Sequence, residues 1–229
     1  MKHTDIIQKL NLEQKCALLS GETVFTTRAL PGKGIPAITL SDGPNGVRKQ
    51  AGAADHLGLN PSVPATCFPT SSATACSWDE KLGEAVGEAL GEEAAAQEVA
   101  VLLGPGLNIQ RSPLCGRDFE YFSEDPLLTG KMACAQLRGM HRWGVTGTIK
   151  HFATNNQEHR RHFVESVVSE RALREIYLRG FEIAVKEGHA RSIMTSYNPL
   201  NGYWTASNYD LVTCLLYTSP SPRDKRQSR

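Results

Sequence analysis

The chain has 229 residues, enough for one large domain or two small ones, and 40% of them are hydrophobic, which suffices for a buried core. Its formal net charge of +1 comes from nearly equal numbers of acidic and basic residues mixed along the chain. Such a balance gives no long-range field to attract nucleic acid or an anionic membrane, so it argues against both as partners and fits a neutral substrate.

Targeting and metal signals are also lacking in the printed sequence. No apolar signal core follows the charged N-terminal residues, and no stretch approaches the length needed to cross a bilayer. We therefore expect a cytoplasmic protein. The six cysteines contain no Cys-x-x-Cys pair, and their wide spacing matches neither a zinc site nor a compact disulfide framework.

Helix signals divide the chain into regular segments. We predict a first helix over Asn11–Leu19, and a long one that Ser77 caps in a capping box with Glu80. The 51–69 segment between them is rich in glycine, proline and small residues, so it reads as a long loop with one irregular strand near Thr66–Pro69. Further helices are predicted to start at Asp125-Pro126 and at Ser169, the last ending at Gly188.

Four short apolar runs of strand length alternate with these helices: Ile35–Leu40, Val99–Leu103, Thr148-Ile149 and Ser192–Thr195. Repeated strand, loop and helix order is typical of a parallel α/β protein. Each run is followed at once by charged, amide or aromatic hydrogen-bonding residues. In a (β/α)-barrel the loops after the strands meet on one face, so these residues would converge into one pocket.

The residues at these strand ends suit the hydroxyls of a sugar. Asp42 is an ionised acceptor, His151 can donate or accept, and the cations Arg48, Arg117, Lys150 and Arg161 are donors. A purely structural alternative stays open, in which Asp42 caps a turn and the cations pair with Glu120, Glu124, Asp125 or Glu158 in a solvated rim. Convergence of four strand ends favours the pocket.

Lys150 and Tyr197 support a pocket at the barrel mouth. Lys150 is expensive to bury unless a ligand or carboxylate satisfies it. Tyr197 could be a core aromatic, yet its place after the last apolar run allows it to line the pocket floor. We assign no role to the loop or surface histidines His56, His159 and His162. The Gly104-Pro105-Gly106 segment is a poor phosphate loop, because its third glycine is missing and Pro105 lacks an N–H donor.

The last segment differs in kind from the rest. From about Leu216 the sequence has no periodicity, two Ser-Pro steps and a run of charges, which is typical of a disordered tail. It also resembles the translated adapter sequence found in some assembled reads. We therefore expect residues 1–215 to form a partial barrel domain and residues 216–229 to be a non-native tail.

Several motifs together resemble the N-terminal barrel domain of family-3 glycoside hydrolases, in the β-glucosidase and β-xylosidase branch. The resemblance covers roughly Leu12 to Leu215 and rests on the segments 40–48, 104–126, 150–158 and 169–177. It implies an incomplete (β/α)8 barrel, similar to a TIM barrel, with about five strands present. A related hexosaminidase branch carries a Pro- and Gly-containing loop where this chain has 153–156, Ala-Thr-Asn-Asn, which argues against that branch.

The resemblance assigns roles to residues of this sequence. It implies that Asp42 binds hydroxyls of the non-reducing-end sugar and that Arg48 supports the loop or the pocket. The remaining matches to sugar-contacting positions are Arg117, Lys150, His151, Arg161 and Tyr197. One departure is Asp118, which adds a negative charge beside Arg117 where many relatives carry asparagine.

The resemblance also implies a retaining hydrolase that works without metal or cofactor on small oligosaccharides or aryl and alkyl β-glycosides. Its nucleophile is an aspartate followed by tryptophan after the next strand, and no such pair follows Tyr197. We accept neither Asp210 nor Asp224 as a substitute, so we assign no catalytic residue and expect this chain alone to be inactive without the missing C-terminal part of its parent. The alternative is a non-catalytic carbohydrate-binding or regulatory protein on the same barrel.

Overall fold

Four short parallel strands form the central sheet of the molecule, in a computed structural model that describes residues 3–52, 55 and 59–218. These strands are β1 (Leu40–Asp42), β2 (Val101–Leu103), β3 (Thr146–Phe152) and β4 (Ser192–Thr195). They lie in the order β1-β2-β3-β4, and each neighbouring pair is parallel. An order that follows the sequence without reversal is that of a barrel wall, whereas a doubly wound sheet reverses at a switch point. The predicted barrel-like α/β fold is confirmed, as an incomplete barrel.

Helices connect the strands on one side of the sheet. Two short helices, α1 (Thr4–Gln8) and α2 (Leu12–Ala17), precede β1. The crossover from β1 to β2 holds α3 (Ser71–Ala75) and α4 (Glu80–Ala96), and the crossover from β2 to β3 holds α5 (Pro126–Arg142). The crossover from β3 to β4 holds α6 (Glu170–Ala172), a π-helical turn (Leu173–Tyr177) and α7 (Arg179–Lys186). A hairpin of β5 (Pro199–Leu200) and β6 (Tyr203–Trp204) then leads to α8 (Tyr209–Thr218).

The predicted helix starts are correct at three of four positions. Asn11 caps α2 in a capping box with Gln14, Asp125 accepts hydrogen bonds at the start of α5, and Ser169 caps α6. The prediction of Ser77 as a cap is wrong. Its hydroxyl donates to the carbonyl of Thr74 at the end of α3, so the carboxylate of Asp79 caps α4 instead.

Several predicted boundaries also shift. Helix α1 precedes the helix predicted as the first, and that helix, α2, ends at Ala17 and not at Leu19. The helix from Ser169 is interrupted by the π-helical turn, and only the end of the Ile35–Leu40 run joins the parallel sheet, since β1 starts at Leu40. The predicted strand near Thr66–Pro69 is a loop, which leaves four parallel strands in the described residues. Helix α8 continues to Thr218, and residues 219–229 of the predicted tail lie outside the described residues, as does His56.

The core lies between the sheet and helices α4 and α5. Gly147 of β3 faces α5, because a Cβ atom there would lie 2.5 Å from Leu137 Cδ2 and 2.6 Å from Met140 Cε. Side chains alternate along a strand, so Thr148 and Lys150 face the opposite side of the sheet, toward the barrel interior. The fully buried Ile149 faces the helices with Gly147. This alternation lets a charged side chain stand next to an apolar core.

Helices α4 and α5 approach closely because glycines line their contact. Gly83, Gly87 and Gly91 recur every four residues on one face of α4, and all three are buried. A Cβ atom at Gly87 would lie 2.2 Å from the carbonyl oxygen of Gln136, which no real Cβ atom does. Gly139 on α5 has the same close approach to the backbone of α4. Any side chain at these positions must push the two helices apart.

We predict that Gly87→Ala weakens the α4–α5 pair. The added methyl group meets backbone atoms rather than a flexible side chain, so we expect a loss of about 3 kcal/mol, at the upper end for overpacked cores. Hydrogen–deuterium exchange of peptides from α4 and α5 would show the loss as faster exchange. Gly32→Ala is the matched control, because a Cβ atom there has nothing within 4 Å. Equal exchange in the two variants would contradict close packing at Gly87.

Candidate functional site

The carboxyl ends of β1, β3 and β4 place polar side chains on one edge of the sheet. Asp42 is the last residue of β1, Lys150 and His151 lie near the end of β3, and Tyr197 follows β4 by two residues. The register of β3 against β4 shifts between Ile149 and Phe152. Such irregularities re-aim the side chains around them, here at the residues that carry the charge.

A buried ion cluster lies at the centre of this edge. Lys150 Nζ is 3.1 Å from Glu120 Oε2, and both side chains are only 3% exposed. The other oxygen of Glu120 accepts from Arg117 Nε. A carboxylate between two cations satisfies charges that would be costly to bury alone. Glu120 therefore makes the burial of Lys150 possible.

Asp42 stands at the outer side of the same lysine. Its Oδ1 lies 4.0 Å from Lys150 Nζ, and its side chain is 46% exposed. Arg48 is exposed and lies at the end of the loop that follows β1, where its backbone N–H donates to the carbonyl of Asp42 over 2.8 Å. Asp42 thus presents a carboxylate to solvent beside a buried ammonium group.

His151 is buried and held from two sides. The side chain of Asn108 accepts from the backbone N–H of His151 at 2.8 Å and donates to its carbonyl at 2.9 Å. The Tyr121 hydroxyl lies 3.0 Å from the ring nitrogen Nδ1. Burial, together with the nearby cations Arg117, Lys150 and Arg161, lowers the pKa of His151 well below its usual value. The imidazole is therefore neutral at neutral pH.

A second set of contacts extends from His151 to Tyr197. Asn155 Nδ2 donates to Tyr121 Oη at 3.0 Å and to Glu158 Oε1 at 3.1 Å. The other oxygen of Glu158 lies 3.4 Å from the guanidinium of Arg161. Arg161 in turn lies over the ring of Tyr197, 5.2 Å from its centroid. Tyr197 is 57% exposed, so this chain of contacts ends at the surface, and the prediction that Tyr197 lines a pocket floor is wrong for the described residues.

The structure gathers the predicted site residues into two groups that are linked through side chains and that meet at the consecutive residues Lys150 and His151. Glu120 joins Lys150 to Arg117, Lys150 in turn approaches Asp42, and the contacts through Tyr121, Asn155 and Glu158 join His151, Arg161 and Tyr197. Arg48 is tied to the group by its backbone bond to Asp42. The alternative of pairing in a solvated rim has the right partners in Glu120 and Glu158, but the Lys150–Glu120 pair is buried.

No sequence pattern predicted Tyr121, Asn155 and Asn108 as members of the site, and Glu120 was predicted only as a rim partner. The sequence did contain a reason to place Glu120 in the site, because Glu120 lies three residues after Arg117 and a buried lysine requires a carboxylate. His162 was assigned no role, yet its ring packs 4.6 Å from that of Tyr197. Asp118 does not compete for Arg117, whose Nε is bound to Glu120. Burial raises the pKa of the Asp118 carboxyl, while its hydrogen bond with Cys115 opposes that rise.

Donors and acceptors of this kind suit a ligand with several adjacent hydroxyl groups. The ammonium and guanidinium groups donate, the exposed carboxylate accepts, and the neutral histidine donates from one nitrogen only.

Within residues 3–52, 55 and 59–218 no group of three or more His, Cys, Asp or Glu side chains is arranged to hold a metal ion. Among those same residues no helix is both long and apolar enough to span a membrane.

Comparison with known proteins decides the family. Residues 37–219 match the profile of the Glycosyl hydrolase family 3 N terminal domain, which covers well over half of the chain. The chain belongs to glycosyl hydrolase family 3. It is 51% identical over 211 residues to thermostable β-glucosidase B of Acetivibrio thermocellus. It is also 46% identical over 211 residues to an exo-α-(1→6)-L-arabinopyranosidase of Bifidobacterium longum.

Solved family-3 structures share the fold. The chain superimposes on β-glucosidase 3B from Thermotoga neapolitana, in complex with α-D-glucose, with a TM-score of 0.86 and 43% identity over 93% of its length. That match covers 31% of the Thermotoga chain, and the Acetivibrio match covers 92% of this chain but 28% of the relative. The chain therefore spans less than a third of the length of these relatives.

We predict that Glu120→Gln strongly destabilises this edge of the sheet. Removing the carboxylate leaves Lys150 buried without its nearest counter-charge, and breaking a buried pair in this way costs about 3–5 kcal/mol. Pulse proteolysis of the chain over a urea gradient would report the loss as a lower midpoint.

The control for this prediction removes both charges. Glu120→Gln combined with Lys150→Met replaces the buried pair by uncharged groups of similar size, so we expect it to recover much of the lost stability. If the double variant were as unstable as Glu120→Gln alone, the uncompensated lysine would not be the cause.

Proposed function

We propose that this chain carries the sugar-binding part of a retaining, exo-acting β-glycosidase that hydrolyses terminal β-linked glucose or xylose from small oligosaccharides or aryl and alkyl glycosides. The observation behind the proposal is the grouping of Asp42, Arg117, Lys150 and His151 at one edge of a family-3 barrel sheet. Relatives named for β-glucosidase activity support the glucose alternative. A relative that is 46% identical is named an exo-α-(1→6)-L-arabinopyranosidase, so relatives at this level of identity include one named for another pyranoside.

In this proposal each residue makes a distinct kind of contact. Asp42 accepts hydrogen bonds from two adjacent hydroxyls, since an ionised carboxylate offers acceptors on both oxygens. Lys150 and Arg117 donate to hydroxyl oxygens while Glu120 balances their charge. Arg161 and Tyr197 form the outer side of the subsite, and Arg48 supports the loop that carries Asp42.

Catalysis needs two further carboxyl groups. A retaining glycosidase uses one as the nucleophile and the other as the acid and then the base. The printed sequence has no Asp-Trp pair after Tyr197, so we propose that both groups come from further polypeptide of the parent protein. The parent reaction as proposed uses no metal or cofactor. Residues 216–229 as a non-native tail, and the cytoplasmic location, remain predictions.

We expect the chain alone to show no turnover. Without a nucleophile the covalent step is lost, and the acid–base step by itself is typically worth roughly 100- to 10,000-fold in rate. The purified 229-residue chain would be assayed with an aryl β-glucoside, beside a family-3 relative. Turnover near that of the relative would refute the proposal that this chain lacks the catalytic groups.

Sequencing the source DNA past codon 215 gives an independent test. The proposal is supported if the reading frame continues into a strand followed by Asp-Trp, and it is refuted if the frame does not.

We predict that Asp42→Ala abolishes most of the binding of D-glucose to this chain. Loss of hydrogen bonds to a charged group costs about 1.5–3 kcal/mol, which corresponds to a roughly 10- to 150-fold weaker affinity. Saturation-transfer NMR titration would measure it. Asp5→Ala, which removes an exposed carboxylate on α1, is the control and should bind as the wild type does. An unchanged affinity of Asp42→Ala for D-glucose would show that Asp42 serves only in the turn after β1 and does not bind the sugar.

A further inference from the structure

Four buried or half-buried side chains form a hydrogen-bonded relay behind the proposed sugar site. Glu158 accepts from Asn155, Asn155 donates to Tyr121, and the Tyr121 hydroxyl meets His151 Nδ1. Tyr121 is 0% exposed and Asn155 is 5% exposed, so bulk solvent does not reach these two side chains. In a closed relay of this kind the direction of each hydrogen bond restricts the next.

The carboxylate of Glu158 fixes the orientation of the Asn155 amide. An ionised carboxylate only accepts, so the atom of Asn155 that faces it at 3.1 Å must be the amide nitrogen. A flipped amide would set its oxygen against the Glu158 carboxylate. The same nitrogen lies 3.0 Å from Tyr121 Oη, and Asn155 is therefore the donor to Tyr121.

The orientation of Asn155 then decides where the Tyr121 proton goes. The hydroxyl oxygen already accepts from Asn155, and within the described part of the chain the only other polar atom bonded to it is His151 Nδ1, at 3.0 Å. Burial raises the pKa of Tyr121, so the hydroxyl keeps its proton. A buried O–H without an acceptor is costly, which leaves Nδ1 as the acceptor.

We propose that Tyr121 is a positioning residue that holds the neutral His151 in the tautomer with its proton on Nε2. Glu158 and Asn155 set the direction of the relay. If the proposed function is correct, which this part of the inference requires, His151 then meets a sugar hydroxyl as a donor from Nε2 and not as an acceptor. Protonation at both nitrogens is opposed by the cations Arg117, Lys150 and Arg161 around the ring.

The tautomer can be measured directly in the 229-residue chain. With 15N-labelled histidine, and with His151→Gln to assign the signal, we expect a pyridine-like shift at Nδ1 and a pyrrole-like shift at Nε2 near neutral pH. Tyr121→Phe keeps the ring and removes the hydroxyl, so both tautomers should then be populated. A wild-type signal with the proton on Nδ1, or a charged ring, would overturn the proposal without any variant.

A second variant reverses the relay. Asn155→Asp combined with Glu158→Gln keeps the shapes and the net charge but moves the carboxylate next to Tyr121. The Tyr121 hydroxyl should then donate to that carboxylate and accept from His151, so the His151 proton moves to Nδ1. An unchanged tautomer in this double variant would show that the relay does not control the ring.

Glucose binding separates this inference from the proposed function. Tyr121→Phe should bind D-glucose roughly 2- to 12-fold more weakly, the range for one lost neutral hydrogen bond. If the tautomers behave as expected but neither wild type nor variant binds glucose, the relay stands and the sugar-site proposal fails. If wild type binds glucose and Tyr121→Phe shows the wild-type tautomer, the positioning role of Tyr121 fails alone.

Discussion

The charged edge of this barrel depends on one constraint, which is that Lys150 must be buried without leaving its charge uncompensated. Glu120 meets that constraint from a 3₁₀ turn, Asp118–Glu120, that follows β2 in the chain. The same carboxylate binds Arg117, so one acidic side chain holds two cations in fixed positions. Glu120 thus positions both cations without a ligand.

The strand pattern carries this arrangement to the rest of the site. Because the sheet is parallel and sequential, the ends of β1, β3 and β4 lie on one edge, and residues far apart in sequence become neighbours. On the helix side, glycines let α4 and α5 pack closely against each other, and Gly147 of β3 leaves room for Leu137 and Met140 of α5. The sheet is supported by this packing. Packing on one face of β3 and charge on its other face thus follow from the same alternation.

Much of this could be predicted from the sequence, because it depends on local patterns. Strand runs followed by polar residues predicted the parallel fold and most of the residues that meet at its edge. The cap of α4 could not be decided this way, since Ser77 and Asp79 both suit the role, and the Ser77 hydroxyl is bonded to the Thr74 carbonyl at the end of α3 instead. Tyr121 and His151 are thirty positions apart, and nothing in either local sequence states that they touch.

The two carboxylates near Lys150 differ in what they leave available. Glu120 is buried and each of its oxygens is bound by a cation, so it has little capacity left for a ligand. Asp42 lies 4.0 Å from the same ammonium group with its side chain 46% exposed, and it keeps acceptor sites directed to solvent. A single carboxylate would use the same oxygens either to balance the lysine charge or to bind hydroxyls. With two carboxylates, the buried Glu120 balances the charge of Lys150 and the exposed Asp42 can accept hydrogen bonds from a ligand. This division explains why a buried acid and an exposed acid both belong to one site.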